Sequence, residues 1–196
     1  MRNTVIGKGE GLAMAHNFKL FIWVFLIVIL TACGSGGGGG GSSNSQTGIT
    51  AGFISNVANP PDNSISLVQK SAQGDLITLS VTSKSLATPS SGAAFDIEFD
   101  PNLVSFVTFV PGSFYETTGT VNYQAGLQMG TNNRLVVGIT QQAGPGATGS
   151  GPLIELQFRA LKNGNSALTS TNNNMIDQSG NLIPGIIWSG GTITGS

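Results

Sequence analysis

Charged residues, histidine and cysteine are scarce in this chain of 196 residues. Only 9% of the residues are charged, with 8 lysines and arginines against 9 aspartates and glutamates. So few basic side chains cannot build the positive surface that nucleic acids require, and we expect no nucleic-acid partner. The single histidine, His16, and the single cysteine, Cys33, are both near the N-terminus. Beyond residue 33 the sequence therefore excludes Ser-His-Asp and Cys-His hydrolases and histidine-based metal sites, and we expect no metal and no cofactor.

Long apolar runs are scarce too, and the longest lies near the N-terminus. Residues 20–30 read LFIWVFLIVIL, a run of 11 residues. This is shorter than the ~20 residues that a membrane-spanning helix needs. Lys19 precedes the run, and the small-residue sequence Leu-Thr-Ala-Cys follows it at residues 30–33. A basic segment, an apolar segment and a small-residue cleavage site predict a secretory signal peptide over residues 1–32.

The sequence Leu-Thr-Ala-Cys resembles the bacterial lipobox, in which the cysteine becomes the first residue of the mature protein and carries lipid. A single exported cysteine cannot form an internal disulfide, and lipidation gives Cys33 a role. Two or three acyl chains anchor a protein firmly, whereas one gives marginal binding. The resemblance implies a membrane anchor at Cys33, in the outer membrane of a Gram-negative cell and otherwise on the cell membrane surface.

A glycine-rich segment follows the predicted cleavage site. Residues 34–46 read GSGGGGGGSSNSQ, and a tract of this composition behaves as a flexible coil. We expect the lipidated cysteine and its linker to occupy residues 33–49 and a folded domain to occupy residues 50–196. Residues 33–196 hold five basic and eight acidic side chains, which leaves a net charge of −3.

From about residue 50 the pattern is typical of β-strands. Apolar and polar residues alternate with period 2, and Gly, Pro, Asn and Asp separate the alternating stretches. This predicts an all-β sandwich or barrel that is large enough to fold without a disulfide. The nine candidate strands are residues 64–68, 76–82, 93–99, 103–110, 120–124, 134–139, 152–160, 166–170 and 185–194.

The alternation also predicts which side chains face the core. The predicted inward residues are Phe95, Ile97, Phe99, Leu156 and Phe158, and the predicted outward residues are Asp96, Glu98, Glu155, Gln157 and Arg159. Residues 103–110 are apolar on both faces, which is typical of a central strand. Residues 144–152 (GPGATGSGP) predict a long loop, and residues 172–174 with Asp177 predict a turn that satisfies its own backbone.

Four segments, taken in order, resemble the cohesin family. They are residues 95–106 (FDIEFDPNLVSF), 151–160 (GPLIELQFRA), 163–168 (NGNSAL) and 177–184 (DQSGNLIP). The resemblance implies a jelly-roll β-sandwich of about nine strands. It also implies a module that binds dockerins through one sheet face, in complexes that degrade polysaccharides. The family's contact residues are not carried over, because they lie at variable strand positions.

Two groups of side chains are candidates for ligand binding. The aromatic residues Trp188, Tyr115 and Tyr123, with Phe114 beside them, have rings that suit the apolar side of a sugar. The alternative for them is a place in the core or at its rim. Asp96 and Glu98 share one side of a strand, as carboxylates do in glycosidases and calcium sites. The alternative for this pair is a solvated polar surface.

The sequence as a whole favours a lipid-anchored binding module over an enzyme. We expect a dockerin-type protein or a polysaccharide as the partner, in polysaccharide handling. The alternative from another class is a structural component of an envelope assembly for secretion, pilus formation or adhesion. An enzyme that uses Asp96 and Glu98 is the least favoured hypothesis, because nothing in the sequence places these carboxylates in a cleft.

Overall fold

The computed structural model describes residues 48–196, which form two β-sheets and one short helix. Alternating apolar residues drive the strands, because each strand can bury one side against the other sheet. The elements are β1 (Ala51–Ser55), β2 (Ser64–Gln73), β3 (Leu76–Ser90), β4 (Gly92–Glu98), β5 (Val104–Pro111), α1 (Ser113–Glu116), β6 (Thr120–Leu127), β7 (Arg134–Ala143), β8 (Ala147–Ala160), β9 (Gly164–Ile176), β10 (Ile187–Ser189) and β11 (Gly191–Gly195).

The strands are divided between a six-stranded and a five-stranded sheet. The six-stranded sheet has the order β1-β11-β9-β4-β7-β6, and the five-stranded sheet has the order β10-β2-β3-β8-β5. One cluster of buried apolar residues, drawn from both sheets, fills the space between them. This arrangement confirms the prediction of an all-β jelly-roll sandwich.

The predicted register is confirmed on both sheets. Phe95 and Ile97 of β4 and Phe158 of β8 are at most 2% exposed. The Phe158 ring meets the Phe99 ring edge-on at 5.6 Å and the Phe106 ring at 5.8 Å, so it links the two sheets. Residues of β8 that alternate with Phe158, such as Glu155, are more exposed. A shift of one residue in either strand would reverse this pattern.

The structure has eleven strands where the sequence predicts about nine. β1 has too little alternation to be recognised from sequence. The predicted strand at residues 185–194 is two strands, because the chain crosses between the sheets at Gly190. A Cβ atom at Gly190 would lie 2.0 Å from the carbonyl oxygen of Leu168, so glycine is required at this crossing. β10 pairs in parallel with β2, and β11 joins β9 in the other sheet.

Two predictions about apolar and glycine-rich segments are wrong. β5 is an edge strand rather than a central one, and Val107 and Val110 are 43% and 52% exposed. Residues 147–152 belong to β8 rather than to a long loop. Gly146 and Gly149 have φ values of 80° and 87°, and the pairing of β8 with β3 shifts register nearby. Glycines with a positive φ allow bulges, and this part of β8 is therefore an irregular strand.

The asparagine-rich segment at residues 172–174 lies within β9 rather than in a turn. It forms a bulge opposite Phe95, where Asn172 has a φ of 51°. The predicted turn at Asp177 is confirmed, since its carboxylate accepts hydrogen bonds from the backbone N–H groups of Ser179 and Asn181, both at 2.8 Å. Hydrogen bonds from Asn181 are the main reason that the pKa of Asp177 is lowered.

Candidate binding surface

The outward side of β9, β4, β7 and β6 forms an open surface, which we call the platform face. On these strands buried residues such as Ile97 and Val137 alternate with residues on the opposite side. Strand pairing aligns the outward residues in rows, so that Gly138 lies between Ala94 and Gln124. The platform face consists of Ala94, Asp96, Glu98, Asn122, Gln124, Gly126, Arg134, Val136, Gly138, Thr171, Asn172 and Asn174.

Two glycines leave part of the platform face without side chains, Gly138 on the inner strand β7 and Gly126 on the edge strand β6. A Cβ atom added at Gly126 or Gly138 would have no neighbour within 4 Å. Neither residue has the positive φ that favours glycine. Glycine weakens a strand interior, and it is used where a ligand or another backbone approaches closely. The fold therefore does not require these glycines, and they leave a shallow surface beside Val136, which is 44% exposed.

A charged cluster borders the glycines on the same face. An Arg134 nitrogen donates to a Glu98 carboxylate oxygen at 2.5 Å, and another lies 3.8 Å from an Asp96 oxygen. The Asn172 amide donates to the same Asp96 oxygen at 2.6 Å. One arginine thus faces two carboxylates, and the cluster keeps a net charge of −1. Such a cluster gives a binding surface polarity and orientation.

The structure places Asp96 and Glu98 on the outward side of β4, as predicted, but in different surroundings. The Asp96 side chain is 11% exposed, with Asn172 and Arg134 beside it, whereas the Glu98 side chain is 36% exposed. Within residues 48–196 no group of three or more acidic, histidine or cysteine side chains is arranged to hold a metal ion. The two carboxylates belong to an ion-pair cluster on an open sheet.

Tyr115 is not available to a ligand, which corrects its prediction as a sugar-stacking residue. It is fully buried, and Phe114 beside it is 6% exposed. The Tyr115 hydroxyl lies 2.9 Å from the Ser90 hydroxyl. Burial raises the pKa of Tyr115 well above the usual tyrosine value. Helix α1 turns this ring into the core, where its hydroxyl finds a polar partner.

Tyr123 and Trp188 are half-buried and lie in different parts of the sandwich. The Tyr123 hydroxyl donates to the carbonyl oxygen of Gly112 at 2.7 Å. Burial, with the nearby charge of Glu116, raises the pKa of Tyr123 to about 12. Trp188, on β10, packs against the core ring of Phe95 with ring centres 5.2 Å apart. The three predicted aromatic residues therefore do not form one stacking surface.

Several predictions fall outside the part of the chain that the structure describes. The signal peptide, the lipidation site Cys33 and most of the linker lie before residue 48. Within residues 48–196 no helix has the length and apolar character needed to cross a membrane.

Sequence reasoning missed the residues that define the platform face. It singled out Asp96 and Glu98 but not Arg134, Gly126 or Gly138. The available signal was a glycine inside an otherwise regular strand, as in residues 134–139 (RLVVGI), because strands rarely tolerate glycine without a reason.

Several solved structures with similar folds are cohesins. CaCohA2 of Clostridium acetobutylicum, solved in complex with CaDoc0917, is 21% identical with a TM-score of 0.52, covering 61% of this chain and 89% of that chain. A type II cohesin domain from the cellulosome of Acetivibrio cellulolyticus is 17% identical with a TM-score of 0.54, covering 67% and 95%. A type II cohesin–X–dockerin complex of that organism is 15% identical with a TM-score of 0.51, covering 64% and 93%.

These identities are low, so the structural likeness shows the fold. No curated protein matches the sequence. The family model described as "Cohesin domain" matches residues 62–194, which is more than half of the chain and extends from just before β2 into β11. The chain therefore belongs to the cohesin domain family.

Proposed function

We propose that this protein is a lipid-anchored module of the cell envelope that binds a dockerin-type partner protein through its platform face. The observation that carries the proposal is the pair of open glycines, Gly126 and Gly138, in strands that would be more stable with side chains there. A partner can approach the sheet closely at this point.

The chemistry of the platform face suits a protein partner. The area around the two glycines is small and partly apolar, with Ala94 beside Gly138 and Val136 beside Gly126. Its border is polar and carries the Arg134 cluster. Protein interfaces combine a water-excluding centre with a polar rim in this way. A charged rim speeds association and fixes the orientation of the partner. The cohesin–dockerin complexes among the similar folds also support the proposal.

The proposed anchor is Cys33, which would place the domain at the outer membrane of a Gram-negative cell or on the cell membrane surface. The support is the lipobox resemblance and the glycine-rich linker. We expect Cys33→Ser to leave the protein unlipidated and mislocalised. Mass spectrometry of membrane-bound native protein tests this, and an unmodified Cys33 thiol there would rule out the anchor.

The proposed role in polysaccharide handling is a binding role. Cohesin domains are non-catalytic modules, and the acidic side chains of the platform face share Arg134 on an open sheet. We therefore propose that any reaction belongs to the partner. A secretion, pilus or adhesion component as the specific partner would instead favour the structural alternative.

A pull-down with matched variants tests the platform face. The chain, used as bait in an extract of its own cells, is compared with Gly138→Arg and with Val68→Arg. Both variants add an arginine on an outer side of the sandwich: an added Cβ at Gly138 meets no neighbour within 4 Å, and Val68, on the five-stranded sheet, is 45% exposed. We expect Gly138→Arg to lose the captured partner and Val68→Arg to keep it. The reverse result would reject the platform face as the binding surface.

A further inference from the structure

The outer side of the five-stranded sheet carries a cleft with a different chemistry. Its volume is about 180 Å³. The cleft lies across β2, β3, β8 and β5, on the side of the sandwich opposite the platform face. We call it the β3–β8 cleft, and the residues that line it include Lys70, Thr78, Thr108, Val110, Glu155 and Gln157.

Two irregularities in strand pairing flank the cleft at the same level. The pairing of β2 with β3 shifts between Gln69 and Ser71, and the pairing of β5 with β8 shifts between Phe106 and Thr108. Between them, Thr78 on β3 pairs with Gln157 on β8. Bulges redirect side chains and are frequent next to functional sites. Here the bulges are on β2 and β5, and the surface of β3 and β8 between them is recessed.

Several polar side chains that line the β3–β8 cleft are free to bind a ligand. Within residues 48–196, the side chains of Thr78, Thr108 and Gln157 make no hydrogen bond to another protein group. Lys70 donates to one oxygen of Glu155 at 2.5 Å, and the second oxygen has no protein partner in that range. Hydroxyl and amide groups both donate and accept hydrogen bonds, so the recess suits a ligand that also does both.

The charge and size of the cleft narrow the class of ligand. Lys70 and Glu155 neutralise each other, so a strongly charged ligand such as a phosphate gains little there. Val110, which is 52% exposed, gives the cleft an apolar side. The volume is below the roughly 300–1,000 Å³ of sites for drug-sized molecules. A neutral, hydroxyl-rich ring with one apolar face meets these conditions.

We propose that the β3–β8 cleft binds one neutral sugar ring of a polysaccharide. The sugar hydroxyls bond to Gln157, Thr78 and the free oxygen of Glu155, and the apolar side of the ring lies toward Val110. This site goes beyond the platform face and does not depend on it. Since the two sites are on opposite sides of the sandwich, one molecule can hold a polysaccharide and a partner protein at the same time.

A titration of the ¹⁵N-labelled protein with cellotetraose, xylotetraose and chitotetraose tests the proposal. The sample is residues 48–196, which contain one hydrophobic core and belong to one compact unit. We expect saturable amide shifts on β3 and β8, with a millimolar Kd for at least one of the three sugars. Gln157→Ala should weaken binding about tenfold, because it removes hydrogen bonds to the ligand.

Gln124→Ala is the matched control, since it makes the same change at an outward position of the platform face and should leave sugar binding unchanged. Denaturant melts confirm that both variants are folded. An absence of saturable shifts with all three sugars, shifts that map to β6 and β7, or equal losses in both variants would overturn the proposal. None of these results affects the capture of a partner protein by the platform face, so the two proposals fail separately.

Discussion

The two outer faces of the sandwich follow the same alternation but present opposite surfaces. On the platform face, Ala94, Gly126 and Gly138 lie close together and barely rise above the backbone. On the five-stranded sheet, longer side chains form ion pairs: Arg159 with Asp75 in the turn between β2 and β3, and Glu155 with Lys70 on β2. One face is open to close approach at its glycines, and the other carries an ion pair at its cleft.

The difference shows which positions the fold determines. Most inward positions fill one shared core, so both sheets use mainly apolar residues there. Outward positions have no such constraint, and their side chains vary with what the surface binds. Gly138 costs the strand stability without serving the core, so it points to an interaction, whereas Leu156 on the other sheet is explained by packing.

The largest expected effect on stability comes from a core residue, which lies beneath both faces. Phe158→Ala should destabilise the protein by about 3–5 kcal/mol, because it removes a fully buried ring that contacts Phe99 and Phe106. Glu155→Ala, three residues away on the same strand and on its outward side, should cost less than about 1 kcal/mol, since its partner Lys70 is 55% exposed and water weakens the ion pair. Denaturant melts measure both, and equal losses would show that the register is wrong.

A smaller effect separates the ion pairs of the two faces. Arg134→Ala should cost about 1–2 kcal/mol, because it leaves the nearly buried Asp96 beside Glu98 without their shared cation. Lys70→Ala on the other face should cost less than about 1 kcal/mol. Urea denaturation of the two variants gives the comparison. A larger loss of stability for Lys70→Ala would mean that the cluster of Arg134, Asp96 and Glu98 stabilises the fold no more than an exposed ion pair does.

The smallest effect concerns the open glycine itself. Gly138→Ala should stabilise the protein by about 0.4–1 kcal/mol, since the added methyl group meets no neighbour and the unfolded chain loses freedom. Gly112→Ala is the contrast, because its Cβ atom would lie 2.2 Å from the carbonyl oxygen of Pro152, and it should destabilise. Thermal melts distinguish the two. Destabilisation by Gly138→Ala would mean that the fold needs this glycine.

The sequence predicts the inward half of this protein well and the outward half poorly, for a physical reason. Burial selects apolar residues with a period that can be read along one strand, so Phe95 and Phe158 were identified without a structure. Outward contacts join distant segments: Arg134 pairs with Glu98 across 36 residues, and Asn172 bonds Asp96 across 76. Such pairs follow from the strand order, which local patterns do not specify.

The aromatic residues show the same limit. Tyr115 has a ring and a hydroxyl that suit a sugar, but its hydroxyl meets Ser90 inside the core, 25 residues away in the sequence. A polar partner at that distance cannot be foreseen from alternation alone. The edge position of β5 was missed for a related reason, because an apolar edge strand and an apolar central strand look alike in sequence.

Binding of the partner protein by the platform face is tested most directly by an amide-shift map of the ¹⁵N-labelled domain, residues 48–196, with its captured partner. We expect the largest changes on β4, β6, β7 and β9, around Gly138 and Gly126. The amides of β2, β3, β5 and β8 should change little. A map centred on β3 and β8, with the platform strands unaffected, would contradict the claim that the platform face binds the partner.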